Sequence, residues 1–221
     1  MKRILLTALF AIGVTPGVFA EPAEASPERF FGSLRKILKS TKKVARVYYH
    51  LDCSSETAGS GLVPRSRELP ALSNVRDAVT VCRELFDADK GQVRGQGRRL
   101  VAIQLGRVDR SILDTKVKTL HLERIERYNA DLVLSAILNA PEVKATIQSH
   151  SLEPTIEMGP GFVNASERGR PHMPAALDDR TVEELLDSVA ETFNGIVCYG
   201  ECGDAAGSRW FWFSFEPIES L

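Results

Sequence analysis

Apolar and polar positions along this chain follow two periods, and the switch between them marks out the elements. In RFFGSLRKILKSTKKVAR (Arg29 to Arg46) the residues Phe30, Phe31, Leu34, Ile37 and Leu38 recur at helical spacing. That spacing predicts an amphipathic helix, with Ser26 and Pro27 suited to its N-cap and first position. VARVYYHLDC (Val44 to Cys53) is rich in β-branched and aromatic residues and predicts a strand. SNVRDAVTVCRELFDADKG returns to the helical period, with Ser73 as its cap. Its apolar face is Val75, Ala78, Val79, Cys82, Leu85 and Phe86. QVRGQGRR reads as a polar, glycine-containing turn, and LVAIQLG (Leu100 to Gly106) as a buried strand.

Two later segments share one plan of strand, polar turn, amphipathic helix and exit. They run from Lys118 to Ile147 and from His172 to Gly200. A shift of 49 residues lays Val133, Ala136 and Ile137 on Val182, Leu185 and Leu186, and Asn129 on Asp178. In the second unit Thr181-Val-Glu-Glu184 is a capping box, and Val182, Leu185, Leu186, Val189 and Phe193 form the buried stripe. Asn194-Gly195 stops that helix, and IVCYG restarts as a strand. The fold class implied is α+β, built from small strand–helix–strand units. Residues 21–46 form a lead-in and basic helix, 47–110 an N-terminal αβ part, and 111–221 a C-terminal αβ part with the two units.

The first 20 residues change the setting. Lys2 and Arg3 precede an apolar run from Ile4 to Val14 and a small-residue exit at Val18-Phe19-Ala20. This is the pattern of a secretory signal peptide cleaved after Ala20, so the expectation is export to the periplasm or outer envelope. The continuous apolar run is only half of the roughly 20 residues a spanning helix needs. Removing Lys2 and Arg3 takes the formal charge from −1 to −3, which exerts no global pull on nucleic acid. Against that balance, seven basic residues and no acid lie between Arg29 and Arg46. Such a helix suits an anionic membrane surface or a partner, and equally packs its stripe on its own domain.

The second unit resembles the short N-terminal domain of secretins and TonB-dependent receptors. The likeness is carried by AALDDRTVEELLDSVAETFNGIVCYG and covers Pro174 to Phe215, with a looser STN-like match in the first unit. Two departures stand out: no pore-forming or β-barrel region follows within these 221 residues, and a cysteine pair is no hallmark of that family. The resemblance implies an envelope protein whose small modules bind other proteins.

Candidate chemistry is sparse. The four cysteines, Cys53, Cys82, Cys198 and Cys202, suit an oxidising compartment and allow three pairings. The economical pairing joins Cys53 to Cys82 and Cys198 to Cys202, the latter closing a hairpin. Three residues separate Cys198 from Cys202, against two in thioredoxin-type motifs, where the thiol also sits at a helix N-terminus. The run RWFWFSF puts Trp210 and Trp212 on one face and Phe211, Phe213 and Phe215 on the other, so it is either central in a sheet or half-covered by a partner. His50, His121, His150 and His172 are scattered, without metal spacing. Ser33-Leu-Arg-Lys36 fits S-x-x-K without its companion motifs, and QVRGQGRR opens no helix and is no phosphate cradle.

The expectation is a non-catalytic exported envelope protein that binds other envelope proteins, as a subunit or accessory of a larger assembly. The expected partner-binding residues are Phe30, Phe31, Leu34, Ile37, Trp210 and Trp212, with membrane-surface contact through residues 29–46. No catalytic residue, metal ligand, cofactor or nucleic-acid partner is assigned. The alternative is an exported enzyme, either a thiol oxidoreductase with a reactive cysteine at 198 or 202 or an unrecognised hydrolase. A small-ligand carrier with the Ser151 to Pro174 connection as a lid is a third class.

Overall fold

The computed structural model describes residues 27–52, 77–86, 91–155, 169–204 and 207–218. The leader, the N-caps expected at Ser26 and Ser73, the side chain of Phe30, Cys53 and most of the Ser151 to Pro174 connection lie outside the described residues. Within them the fold is α+β. Helix α1 (Pro27–Thr41) precedes strand β1 (Val44–Asp52), followed by α2 (Ala78–Phe86), β2 (Gln92–Gln96) and β3 (Leu100–Leu105). Next come β4 (Lys116–His121), α3 (Ala130–Asn139), α4 (Pro141–Ser149) and β5 (Leu152–Pro154). The chain continues through β6 (Ala176–Thr181), α5 (Val182–Phe193), β7 (Gly195–Gly203) and β8 (Arg209–Pro217).

Six strands form one mixed sheet in the order β2-β3-β1-β7-β8-β5. The three at its centre, β3, β1 and β7, run parallel. The sheet crosses the boundary placed near Arg110, because β1 lies between β3 and β7. The two later units each start in a small antiparallel sheet, β4 with β6, and each end in the large one, at β5 and β7. Their helices α3 and α5 pack together. The N-caps are Asn129 and Thr181, so the helix starts correspond at a shift of 52 rather than 49. Asp178 lies in β6 instead, as a strand residue.

Local signals explain most of these boundaries. The Thr181 hydroxyl accepts from Glu184 N (3.2 Å) and the Glu184 carboxylate accepts from Thr181 N (2.9 Å). Asn194 ends α5 in the left-handed region at φ 52°. The Asp77 side chain accepts from the backbone amides of Val79 and Thr80 at the start of α2. β2 departs from expectation. QVRGQ is polar and glycine-containing, yet it pairs antiparallel with β3 through the turn at residues 97–99. Pairing with a buried neighbour overrides its weak β propensity.

Strand alternation divides the large sheet into two faces. On the first, α5 and α3 cover Arg46, Tyr48, Tyr199, Phe211, Phe213 and Phe215. The second lies under α1 and α2. There the missing side chain of Gly95 admits Val79 of α2, and Arg35 of α1 pairs with Glu216 of β8. Phe31, Leu34 and Ile37, expected to bind a partner, are buried in this core. The stripe of α1 is consumed by its own domain, which corrects its reading as a docking face.

The aromatic strand is likewise internal. Trp212 is 7% exposed, and its indole N–H donates to the Tyr49 hydroxyl (3.0 Å). Its ring lies over Gly200, where a Cβ would stand 2.2 Å from the indole. Phe215 crosses Gly195 in the same way on the other face. Two glycines in β7 thus make room for β8's bulk on both faces. Trp210 is partly buried against the core and donates to Glu153 (2.9 Å), so neither tryptophan presents an open docking face.

The expected cysteine pairing is also corrected. Cys82 and Cys198 are free and fully buried, whereas Cys202 is disulfide-bonded to a partner outside the described residues. Cys198 and Cys202 share strand β7. Four strand residues span ~13 Å, against the roughly 4.4–6.8 Å between Cα atoms that a disulfide bridges. The strand expected over IVCYG does not stop at Gly200 but continues to Gly203 opposite β8.

Candidate functional site

Helix α5 covers β7 and β1 but leaves the first face open over β3 and β2, and a cleft of about 520 Å³ forms there. Its floor follows from strand register. One row across the sheet reads Arg94, Ala102, Arg46, and the next reads Gln92, Gln104, Tyr48. Ala102 is the small residue between two arginines, so their side chains become walls rather than a packed layer. The far wall is Glu183, on the first turn of α5, with Arg110 from the segment after β3.

Burial sets the electrostatics. Arg46 is 6% exposed and answers two α5 carboxylates, Glu183 (2.8 Å) and Asp187. These acids are four residues apart and share a helix face. Burial outweighs the Arg46 guanidinium and pushes the Asp187 carboxyl up to about 6. Arg110 pairs with Glu183 (2.7 Å) and Asp114 (2.8 Å). The Arg46 guanidinium lies 4.9 Å above the Tyr48 ring. Two donors at the cleft make no hydrogen bond: Nε of Arg46 and the hydroxyl of Tyr48. Burial drives the Tyr48 hydroxyl pKa well above its ordinary value, so it remains a donor.

A second polar cluster adjoins the cleft, joined to it by the edge-to-face contact of Tyr48 with Tyr199 (5.9 Å, 85°). Glu201, 4% exposed, accepts from the Asp109 amide (2.9 Å) and the Tyr199 hydroxyl (3.3 Å). It also contacts His50 Nδ1 at 2.9 Å. The His50 side chain is 45% exposed. Burial works to raise Asp109, but hydrogen bonds from Ser111 and Arg209 prevail and hold it at about 2. This cluster sits where β1 and β7 approach their carboxyl ends, the edge at which open parallel sheets commonly bind ligands.

The sequence reading assigned a role to none of these residues. By pattern alone Arg46 belongs with the basic helix, Arg94 with a turn, Glu183 with a capping-box segment and His50 with the scattered histidines. One signal was available: Arg46 interrupts the apolar run VARVYY. The contact of His50 with Glu201 depends on register between residues 151 apart in sequence.

Among the described residues no group of three or more histidine, cysteine or acidic side chains could hold a metal ion. No helix among them is long and apolar enough to cross a membrane. Comparison of the chain with protein-family models, curated proteins and solved structures finds no match.

Proposed function

We propose that this chain is an exported, non-catalytic envelope protein that binds another protein, as a subunit or accessory of a larger assembly. The observation that carries this reading is the open polar cleft on the first face, with two buried donors at its wall. Among the described residues its lining offers guanidinium, amide and phenol groups with one carboxylate, Glu183, which is paired to Arg46 and Arg110, and includes no serine, threonine, cysteine or histidine. Such a set suits recognition better than nucleophilic chemistry. Export is supported by the leader pattern of residues 1–20 and by the disulfide at Cys202, a bond typical of oxidising compartments. The likeness to secretin and TonB-receptor N-terminal modules is part of the same proposal.

The test is purification from the native envelope in mild detergent, with size and companions measured. Co-migration with a stable companion is the expected result. A monomer without companions refutes the reading.

A second reading, an exported hydrolase, draws on the half-exposed His50 imidazole held by buried Glu201. That pair resembles a general base with its orienting carboxylate. It would need a nucleophile or an activated water at the exposed side of the ring. The thiol oxidoreductase version has less behind it, because Cys198 is fully buried and its pKa is raised by that burial.

A further inference from the structure

We infer that the cleft between α5 and β2 is a carboxylate-binding site, and that the carboxylate it takes belongs to an acidic residue of the protein partner. The inference rests on reading the chain as a binding protein. Both unpartnered groups at the cleft, Arg46 Nε and the Tyr48 hydroxyl, are donors, and each belongs to a side chain more than nine-tenths buried. A buried donor without an acceptor costs roughly 1–3 kcal/mol, so a ligand that brings acceptors gains what the free protein lacks. The two residues lie two apart on one strand, so their side chains share a face.

Charge selects the acceptor. Arg46 and Arg110 have carboxylate partners within the fold. Arg94 lines the same cleft, and its side chain donates only to Gln92 (3.3 Å), with no carboxylate partner among the described residues. It stands in the row that also holds Arg46, with Ala102 between them. A carboxylate over Ala102 would meet the Arg94 guanidinium on one side, and would reach the two donors, which have almost no exposed surface in the free protein, as the Arg46 and Tyr48 side chains shift toward it. A neutral amide would satisfy the donors but leave Arg94 unanswered. Arg94 is exposed, so its guanidinium is free to turn onto the entering carboxylate.

The probes are a capped pentapeptide with one central glutamate, the same peptide with glutamine, and glutarate. Binding to the full chain is followed by calorimetry and by the Arg46 Nε–H resonance. The glutamate peptide is expected to bind and shift that resonance, and the glutamine peptide to bind at least tenfold more weakly. Tyr48→Phe should weaken glutamate binding roughly 10- to 100-fold, the range for a hydrogen bond to a charged group, while melting no lower than wild type. Arg94→Gln, at an exposed position, should weaken binding with the fold intact. Glutarate binding as tightly as the peptide would uphold the carboxylate site and sink the assignment of its source to a protein partner. No binding at millimolar peptide, or equal binding of the two peptides, overturns the inference. So does a Tyr48→Phe variant that melts lower, because its hydroxyl would then be bonded within the fold. Absence of an envelope companion bears on the proposed function and leaves these outcomes unchanged.

Discussion

Trp212→Ala separates a core tryptophan from an interface tryptophan. The structure buries the indole, bonds its N–H to the Tyr49 hydroxyl at 3.0 Å, and sets the two rings edge to face at 5.6 Å and 68°. Truncating a buried tryptophan costs about 3–5 kcal/mol, and Tyr49 loses its donor besides. A domain of this size holds about 5–15 kcal/mol in all, so the change removes a large share of it. At about 2–4 °C per kcal/mol, the melting temperature should fall by roughly 6–20 °C. The assay is thermal and urea unfolding of the isolated protein by circular dichroism. A cycle with Tyr49→Phe adds specificity, because removing the hydroxyl that accepts from the indole predicts a coupling of about 1 kcal/mol. Gly200→Ala approaches the same contact from the other side. Its Cβ would stand 2.2 Å from the indole, and overpacking of this kind costs about 1–3 kcal/mol. A Trp212→Ala protein with wild-type midpoint and slope would refute this account of β8, whatever happened to assembly.

The remaining predictions concern titration and thiols. Asp187 is raised from 3.8 to about 6 in the fold, chiefly by burial. The native state therefore holds a proton that the unfolded chain releases, and stability should fall as pH rises from about 4 to 6, by up to roughly 3 kcal/mol. Urea midpoints across that window should slope downward in wild type and flatten in Asp187→Asn; equal slopes would sink the assignment. Burial pushes the Cys82 thiol up to about 12 and raises Cys198 as well. Iodoacetamide should therefore modify neither cysteine in the native protein, and Cys202 should label only after reduction and unfolding. Peptide mass mapping reads all three, and rapid native labelling of Cys198 would restore the redox reading.

The legible parts of the fold were those set by local signals: the stripe of α5, its capping box, the β-branched strand β1 and the apolar strand β3. What escaped depended on register. β2 carries no period-2 pattern and exists because β3 offers it an edge. The extent of β7 beyond Gly200 depends on its neighbours β1 and β8, not on its own residues. The cleft residues escaped for the same reason, since Arg94, Ala102 and Arg46 make a cleft only once three strands lie side by side. Arg46 is the informative exception. A buried arginine flanked by Ala45 and Val47 is costly, and an apolar residue at such a site is often neutral or stabilising. Its two carboxylate partners make the position tolerable without making it advantageous to the fold. A side chain so placed, with Nε still unpartnered and an unpaired phenol beside it, is not explained by what the core needs, and the carboxylate site proposed above is the reading that gives it a use.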